Sequence, residues 1–138
     1  MPQRVLVAID ESEQSRRALD EAIDLFPDAT LVLLNAFARG PADAAAGVGD
    51  DDGELDALRE RRHEMLRSTM EGRTHDGAVE TVVVFGNPDA ALVEYAEEND
   101  VDHVVVGSHS GGSLSEILVG SVAEEVVQRA PVSVTVAR

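Results

Sequence analysis

Val5-Leu6-Val7-Ala8-Ile9 followed by Asp10-Glu11-Ser12 decides how this chain folds. Five consecutive apolar residues suit a strand covered on both faces, and parallel strands are the ones covered in this way. The run breaks off into two carboxylates and a serine. From Ser12 to Phe26 the apolar and small residues then recur at offsets of three and four: Ser15, Ala18, Leu19, Ala22, Ile23 and Phe26. That is one face of a helix. A buried strand that passes directly into an amphipathic helix is the first half of a β-α-β unit.

The same alternation continues outward along the chain. Pro27-Asp28 stops the first helix and Leu31-Val32-Leu33-Leu34 makes a second strand. Leu55, Leu58, Met65, Leu66 and Thr69 keep helical period from Glu54 to about Gly72, and Val79 to Phe85 reads as a third strand. Asn87-Pro88 opens a third helix, with proline at a favoured first position, running through Leu92, Tyr95 and Ala96 to Asn99. Val101 to Val106 is a fourth strand, and Val119, Val122, Ala123, Val126, Val127 and Ala130 mark a fourth helix. The last strand, Val132-Ser133-Val134-Thr135-Val136, alternates strictly, so one face or one edge of it differs from the central strands. Five strands joined by helices need crossover connections. Right-handed crossovers give an α/β fold, a five-stranded parallel sheet with helices on both faces. All 138 residues read as one domain.

Residues 39–53 are rich in Gly, Ala and Asp without periodicity and are expected to form a mobile loop. Asp50 to Asp52 have the chemistry to hold a hard cation, but a solvated acidic turn is the simpler expectation.

Composition narrows the function. There are 27 acidic residues against 11 basic ones, all arginine, for a net charge of −16. The carboxylates spread over most of the chain, which suits concentrated salt, where the Debye length falls to about 3 Å and self-repulsion is screened. A halophilic, archaeal type of source is expected. The alternative is an acidic surface built for a cationic partner. Either way, no nucleic acid partner is expected, because affinity for a duplex comes from basic groups that release counterions. The absence of cysteine excludes disulfides and thiolate chemistry. No apolar run approaches the ~18–20 residues that span a bilayer. Met1-Pro2-Gln3-Arg4 enters a strand at once, with no room for a signal peptide. No membrane association and a cytoplasmic location are therefore expected.

In open parallel sheets, ligands bind outside the carboxyl ends of the strands, where strand order reverses. Two loops there carry chemistry. Asp10-Glu11-Ser12 follows the first strand; Gly107-Ser108-His109-Ser110-Gly111-Gly112-Ser113 follows the fourth, with Gly120-Ser121 beyond it. Glycine lets backbone come close to a ligand, and a helix start offers unpaired N–H groups and a positive dipole end. Together they can cradle a phosphate without any cationic side chain. Ser121 stands three residues before Glu124, a capping-box spacing that fixes the start of the fourth helix at that serine. Gly107-Ser108-His109-Ser110-Gly111 has the outline of a nucleophile elbow, but histidine occupies the nucleophile's place. His63, His75 and His103 have no metal-ligand spacing, and no nucleophile–base pair is visible. Neither a catalytic residue nor a metal site is assigned, and an enzyme is not expected.

These segments resemble the universal stress protein family over essentially the whole chain. Val7-Ala8-Ile9-Asp10 with Ser12, then Ser15-Arg16-Arg17-Ala18-Leu19, is similar to the family's opening strand and helix. Phe85-Gly86-Asn87-Pro88 is similar to its Gly-x-Pro turn. Val106-Gly107-Ser108-His109 continuing to Leu118-Val119-Gly120-Ser121-Val122-Ala123-Glu124 is the strongest match, and Ala130-Pro131-Val132 leads into the closing strand. The resemblance implies a sheet of order 3-2-1-4-5, of the adenine-nucleotide alpha-hydrolase-like type, which sets strands one and four side by side.

The resemblance also implies an adenine-nucleotide site. Ala8 and Asp10 would lie at the end of strand one, with Asp10 near base and ribose. Ala36 and Val106 would meet the adenine through backbone groups. Gly107, His109 and Ser110 would line the ribose and first phosphate, and Gly120, Ser121 and Val122 would face the outer phosphates. ATP is the expected ligand, with AMP as the alternative and Mg2+ as a companion of the triphosphate. The family pattern places glycine where this chain has Ser110, a departure that would cost roughly 1–2 kcal/mol if left-handed backbone is required, about tenfold in affinity. The resemblance further implies a homodimer through Val132–Val136, acting as a regulator or interaction protein in the stress response. A nucleotide-free dimer of the same fold and a slow ATP hydrolase are the alternatives.

Overall fold

The computed structural model describes residues 3–37, 52–86, 88–107 and 132–137. Five strands make one parallel sheet: β1 (Arg4–Ala8), β2 (Thr30–Phe37), β3 (Val79–Phe85), β4 (His103–Gly107) and β5 (Ser133–Ala137), in the order β3-β2-β1-β4-β5. Val5, Leu6 and Val7 pair with Leu31, Val32 and Leu33 on one side and with His103, Val104 and Val105 on the other. This explains the unbroken apolar run, since a strand in the middle of the sheet has no face to give to water. Val5, Leu6 and Val7 are fully buried. At about 1.5–3 kcal/mol for each large side chain removed from water, this strand anchors the core.

Helices cover both faces. α1 (Glu13–Leu25) and α2 (Asp52–Ser68) lie on one, where Ala18, Leu19, Ala22 and Leu66 pack against Val5, Val7, Leu31, Leu33 and Val105. α3 (Pro88–Glu98) lies on the other, where Leu92, Val93 and Ala96 pack against Leu6, Val32, Leu34, Val104 and Val106. Ser12 caps α1: its hydroxyl accepts from the Ser15 N–H at 3.2 Å, a bond type whose loss costs about 1 kcal/mol. Phe26 closes the far end, donating its N–H to the Ala22 carbonyl at 2.9 Å.

Several element ends differ from expectation. β2 runs on past Leu34 through Asn35 and Ala36, because Asn35 is buried and hydrogen-bonded although polar. α2 begins at Asp52, inside the segment 39–53 expected to be loop, and ends at Ser68 rather than Gly72. Beyond Ser68 the chain keeps turning through tighter bonds, Glu71 N–H to Ser68 and Arg73 N–H to Met70, with Gly72 at φ +77°. β4 starts at His103: Val101 is buried, while the exposed Asp102 carboxylate accepts from the Gln3 and Arg4 N–H groups, both at 2.9 Å. The rest of the segment 39–51 and the fourth expected helix lie outside the described residues. No helix among the described residues is long and apolar enough to cross a membrane.

Candidate functional site

The carboxyl ends of β1 and β4 lie side by side, and strand order reverses between them. This is where an open parallel sheet offers a crevice. Ala8, Ala36 and Val106, at or one residue before the ends of three adjacent strands, share the α3 face of the sheet. Two of the three are alanines, so their side chains add little bulk on this face.

Asp10 follows at the tip of β1, partly exposed, and its surroundings fix its direction. Its Oδ1 accepts from the Ser12 N–H at 2.7 Å, and its main-chain carbonyl accepts from the Ser15 hydroxyl at 2.9 Å. A carboxylate has about four acceptor sites, and the Ser12 N–H takes one of them. Asp10, Glu11 and Glu13 together surround the start of α1. Three negative charges already balance the positive end of that dipole. A phosphate is repelled from this corner, whereas a hydroxyl donor is welcome. The carboxylate-rich tip of β1 therefore suits a sugar better than a polyphosphate.

Gly107 ends β4 directly against α1. A Cβ placed on it would stand 2.9 Å from the Gln14 carbonyl oxygen and 3.0 Å from the Gln14 Cβ. Glycine was expected here for closeness to a ligand or for positive φ. Positive φ is found at Gly72 and Gly86 and not at Gly107, so the requirement is the close approach of the first turn of α1. That approach brings the tip of β4 and the Asp10-Glu11-Ser12 turn into one wall. The remaining expected site residues, His109, Ser110, Gly120, Ser121 and Val122, lie outside the described residues.

Behind the wall sits a residue that the apolar pattern concealed. Asn35, 2% exposed, donates its side-chain N–H to the Ile9 carbonyl at 2.9 Å, and its Oδ1 accepts from Arg62 of α2 at 3.4 Å. The only signal in the sequence is a lone amide interrupting an apolar strand. The histidines are half-buried and bonded: His63 Nδ1 to the Thr81 hydroxyl at 2.7 Å, His103 Nε2 to the Thr135 hydroxyl at 2.7 Å, and His75 Nε2 to the Ala29 carbonyl at 2.6 Å. Burial pulls His103 below its ordinary pKa. The two histidine–threonine pairs escaped a search by spacing, because the hydroxyls come from β3 beneath α2 and from β5 beside β4. Neither ring is bonded to a carboxylate that would orient it as a general base. Among the described residues no three His, Asp or Glu side chains gather as a metal site. A cavity of about 370 Å3 lined by Arg67, Met70, Val79 and Thr81 sits at the opposite end of β3 from the strand tips.

The edges of the sheet are β3 and β5. On β5, Val134 and the preceding Val132 already lean on the α3-side core, while Val136 stands 40% exposed. Of the three valines expected at a two-fold axis, Val136 is the one most open to another surface.

Comparison with known proteins agrees with this architecture. Residues 1–138 match the model of the universal stress protein family. The universal stress protein Rv1636 of Mycobacterium tuberculosis is 33% identical over 136 residues, covering 96% of this chain and 93% of its own. The solved structure of the protein MJ0577 superimposes with a TM-score of 0.76 at 25% identity, covering 98% of this chain and 94% of that one. A universal stress protein in complex with cAMP superimposes with a TM-score of 0.65 at 29% identity, covering 99% and 97%. The relatives, mostly bacterial, lend no support to the salt-adapted archaeal source expected from the acidic surface. With the motifs of β1 and β4 on a sheet of order 3-2-1-4-5, and a match along its entire length, this chain belongs to the universal stress protein family.

Proposed function

We propose that this chain binds an adenine nucleotide at the tips of β1 and β4 and serves as a dimeric, cytoplasmic regulator or interaction module rather than as an enzyme. The observation that carries the reading is the meeting of Ala8, Ala36 and Val106 on one face of three adjacent strand ends, with Asp10 just beyond. A flat base would fit against short side chains and strand backbone, and Asp10 would accept from ribose hydroxyls. The acidic start of α1 turns the phosphates away from β1, toward the Gly/Ser-rich segment that follows Gly107. ATP is the leading ligand, AMP the alternative, and Mg2+ would accompany a triphosphate. The similar structure crystallised with cAMP supports an adenine nucleotide as the ligand class.

Dimerisation through β5 rests on an edge strand whose residues 133–137 carry no charge and which leaves Val136 exposed. Such an edge invites pairing with a copy of itself.

The test is a thermal shift with ATP and Mg2+ in molar KCl, together with mass spectrometry of small molecules released from the purified protein. Saturation at 100 times Kd adds about 2.7 kcal/mol. No shift and no released nucleotide would refute the proposal.

A further inference from the structure

Asn35 lies where regular pairing between β1 and β2 gives out. Ala8 is the last β1 residue paired with β2, opposite Leu34. The Ile9 N–H still reaches the Leu34 carbonyl at 2.9 Å. The next rung is made by a side chain: the Asn35 amide takes the Ile9 carbonyl at 2.9 Å. The N–H and the carbonyl of Ile9 are thus both held by β2, and the chain departs from the sheet at Asp10.

The amide's orientation follows from its partners. A carbonyl can only accept and a guanidinium can only donate, so Nδ2 must face Ile9 and Oδ1 must face Arg62. Arg62 Nη1, at 3.4 Å, therefore holds the amide in the one orientation that serves Ile9. Among the bonds that locate Asp10 are those of Asn35 of β2 on the preceding carbonyl, Ser15 of α1 on its own carbonyl, and the Ser12 N–H on its carboxylate. Ser12 and Ser15 are local. Asn35, next to the Ile9 N–H bond to Leu34, ties the turn to the sheet.

We infer that Asn35, locked by Arg62, is a positioning residue: through the Ile9 carbonyl it aims the Asp10 carboxylate at the ribose hydroxyls of a bound nucleotide. This rests on the nucleotide reading above and adds what sets its sugar specificity. A hydrogen bond to a charged group discriminates by about tenfold or more. A carboxylate swung out of line loses that discrimination while the base and phosphate contacts remain.

The experiment measures AMP and 2′,3′-dideoxy-AMP binding calorimetrically for the wild type, Asn35→Asp, Asn35→Ala and Arg62→Gln, with thermal midpoints in parallel. Asn35→Asp keeps volume and the Arg62 contact but loses the donor to Ile9. The expected result is a wild-type preference for AMP of about tenfold. It should fall toward unity in both Asn35 variants and fall partway in Arg62→Gln, with dideoxy-AMP affinity held within about twofold. General destabilisation would weaken both ligands equally and leave their ratio intact. A ratio unchanged in a folded Asn35 variant overturns the role of Asn35, and should both Asn35 variants fail to fold, an unchanged ratio in Arg62→Gln does the same. A wild type that binds both ligands equally overturns it too while the nucleotide site stands. A wild type that binds neither removes the nucleotide reading and this inference with it.

Discussion

Replacing Gly107 by alanine probes the joint that builds the site's wall. The added methyl would meet the Gln14 carbonyl oxygen at 2.9 Å, its carbonyl carbon at 3.0 Å and its Cβ at 3.0 Å. Comfortable carbon contacts begin near 3.5 Å, so β4 and the first turn of α1 must part by several tenths of an ångström. Two of the three atoms are backbone inside a capped helix, so no flexible side chain can absorb the shift. Overpacking of this kind costs about 1–3 kcal/mol. For 138 residues the unfolding entropy is roughly 290 cal/mol/K, so the thermal midpoint should fall by about 3–10 °C. Because the same movement separates the Asp10 turn from the β4 tip, nucleotide affinity should fall as well. Calorimetric unfolding and titration with ATP measure both. A midpoint within 1 °C of wild type with unchanged affinity would show that α1 and β4 do not meet as closely as described.

Other expected outcomes concern separate parts of the molecule. Gly77→Ala should destabilise by more than 1 kcal/mol in urea titration, because its Cβ would overlap the Ala29 main-chain carbonyl before β2. Acidification should weaken the fold in two stages. Burial holds His103 below its ordinary pKa of 6.5, so the unfolded chain binds the extra proton first and stability falls as pH drops below that value. The Gln3 and Arg4 N–H groups hold Asp102 below 3.8, so its contribution is present above that value and is lost as pH falls through the lower folded pKa. His103→Gln should flatten the first stage and leave the second, as read by thermal midpoints across pH. Val136→Lys, at the exposed position of the β5 edge, should give a folded monomer by sedimentation velocity. A persisting dimer would place the interface elsewhere. With a net charge of −16, the thermal midpoint should rise with added KCl.

Legibility in the sequence followed burial geometry. β1 was plain because a central strand is apolar at every position, and α1 because Ser12 caps it and its buried face keeps strict offsets. The end of β2 was hidden: an amide inside an apolar run looks like a strand terminus, when here it is buried and serves as the next rung. Ala8, Asp10, Ala36, Val106 and Gly107 were identified by resemblance and by the strand-end rule. The pairing order then brought their strand ends together at one end of the sheet. The reason for Gly107 was not legible, because steric contact with Gln14, 93 positions earlier, leaves no local pattern. Nor were the threonine partners of His63 and His103, 18 and 32 residues away, which depend on how α2 packs on β3 and on the register of β4 with β5.

The placement of β1 at the centre has a consequence for synthesis. β1 is made before β4, the neighbour whose tie, from Arg4 to Asp102, spans 98 residues. A nascent chain can zip β1, β2 and β3 together early, yet one flank of β1 stays bare until β4 leaves the ribosome. During that interval the most apolar strand of the molecule offers an open ladder to any passing segment. A net charge of −16 opposes such association between copies, because like charges repel.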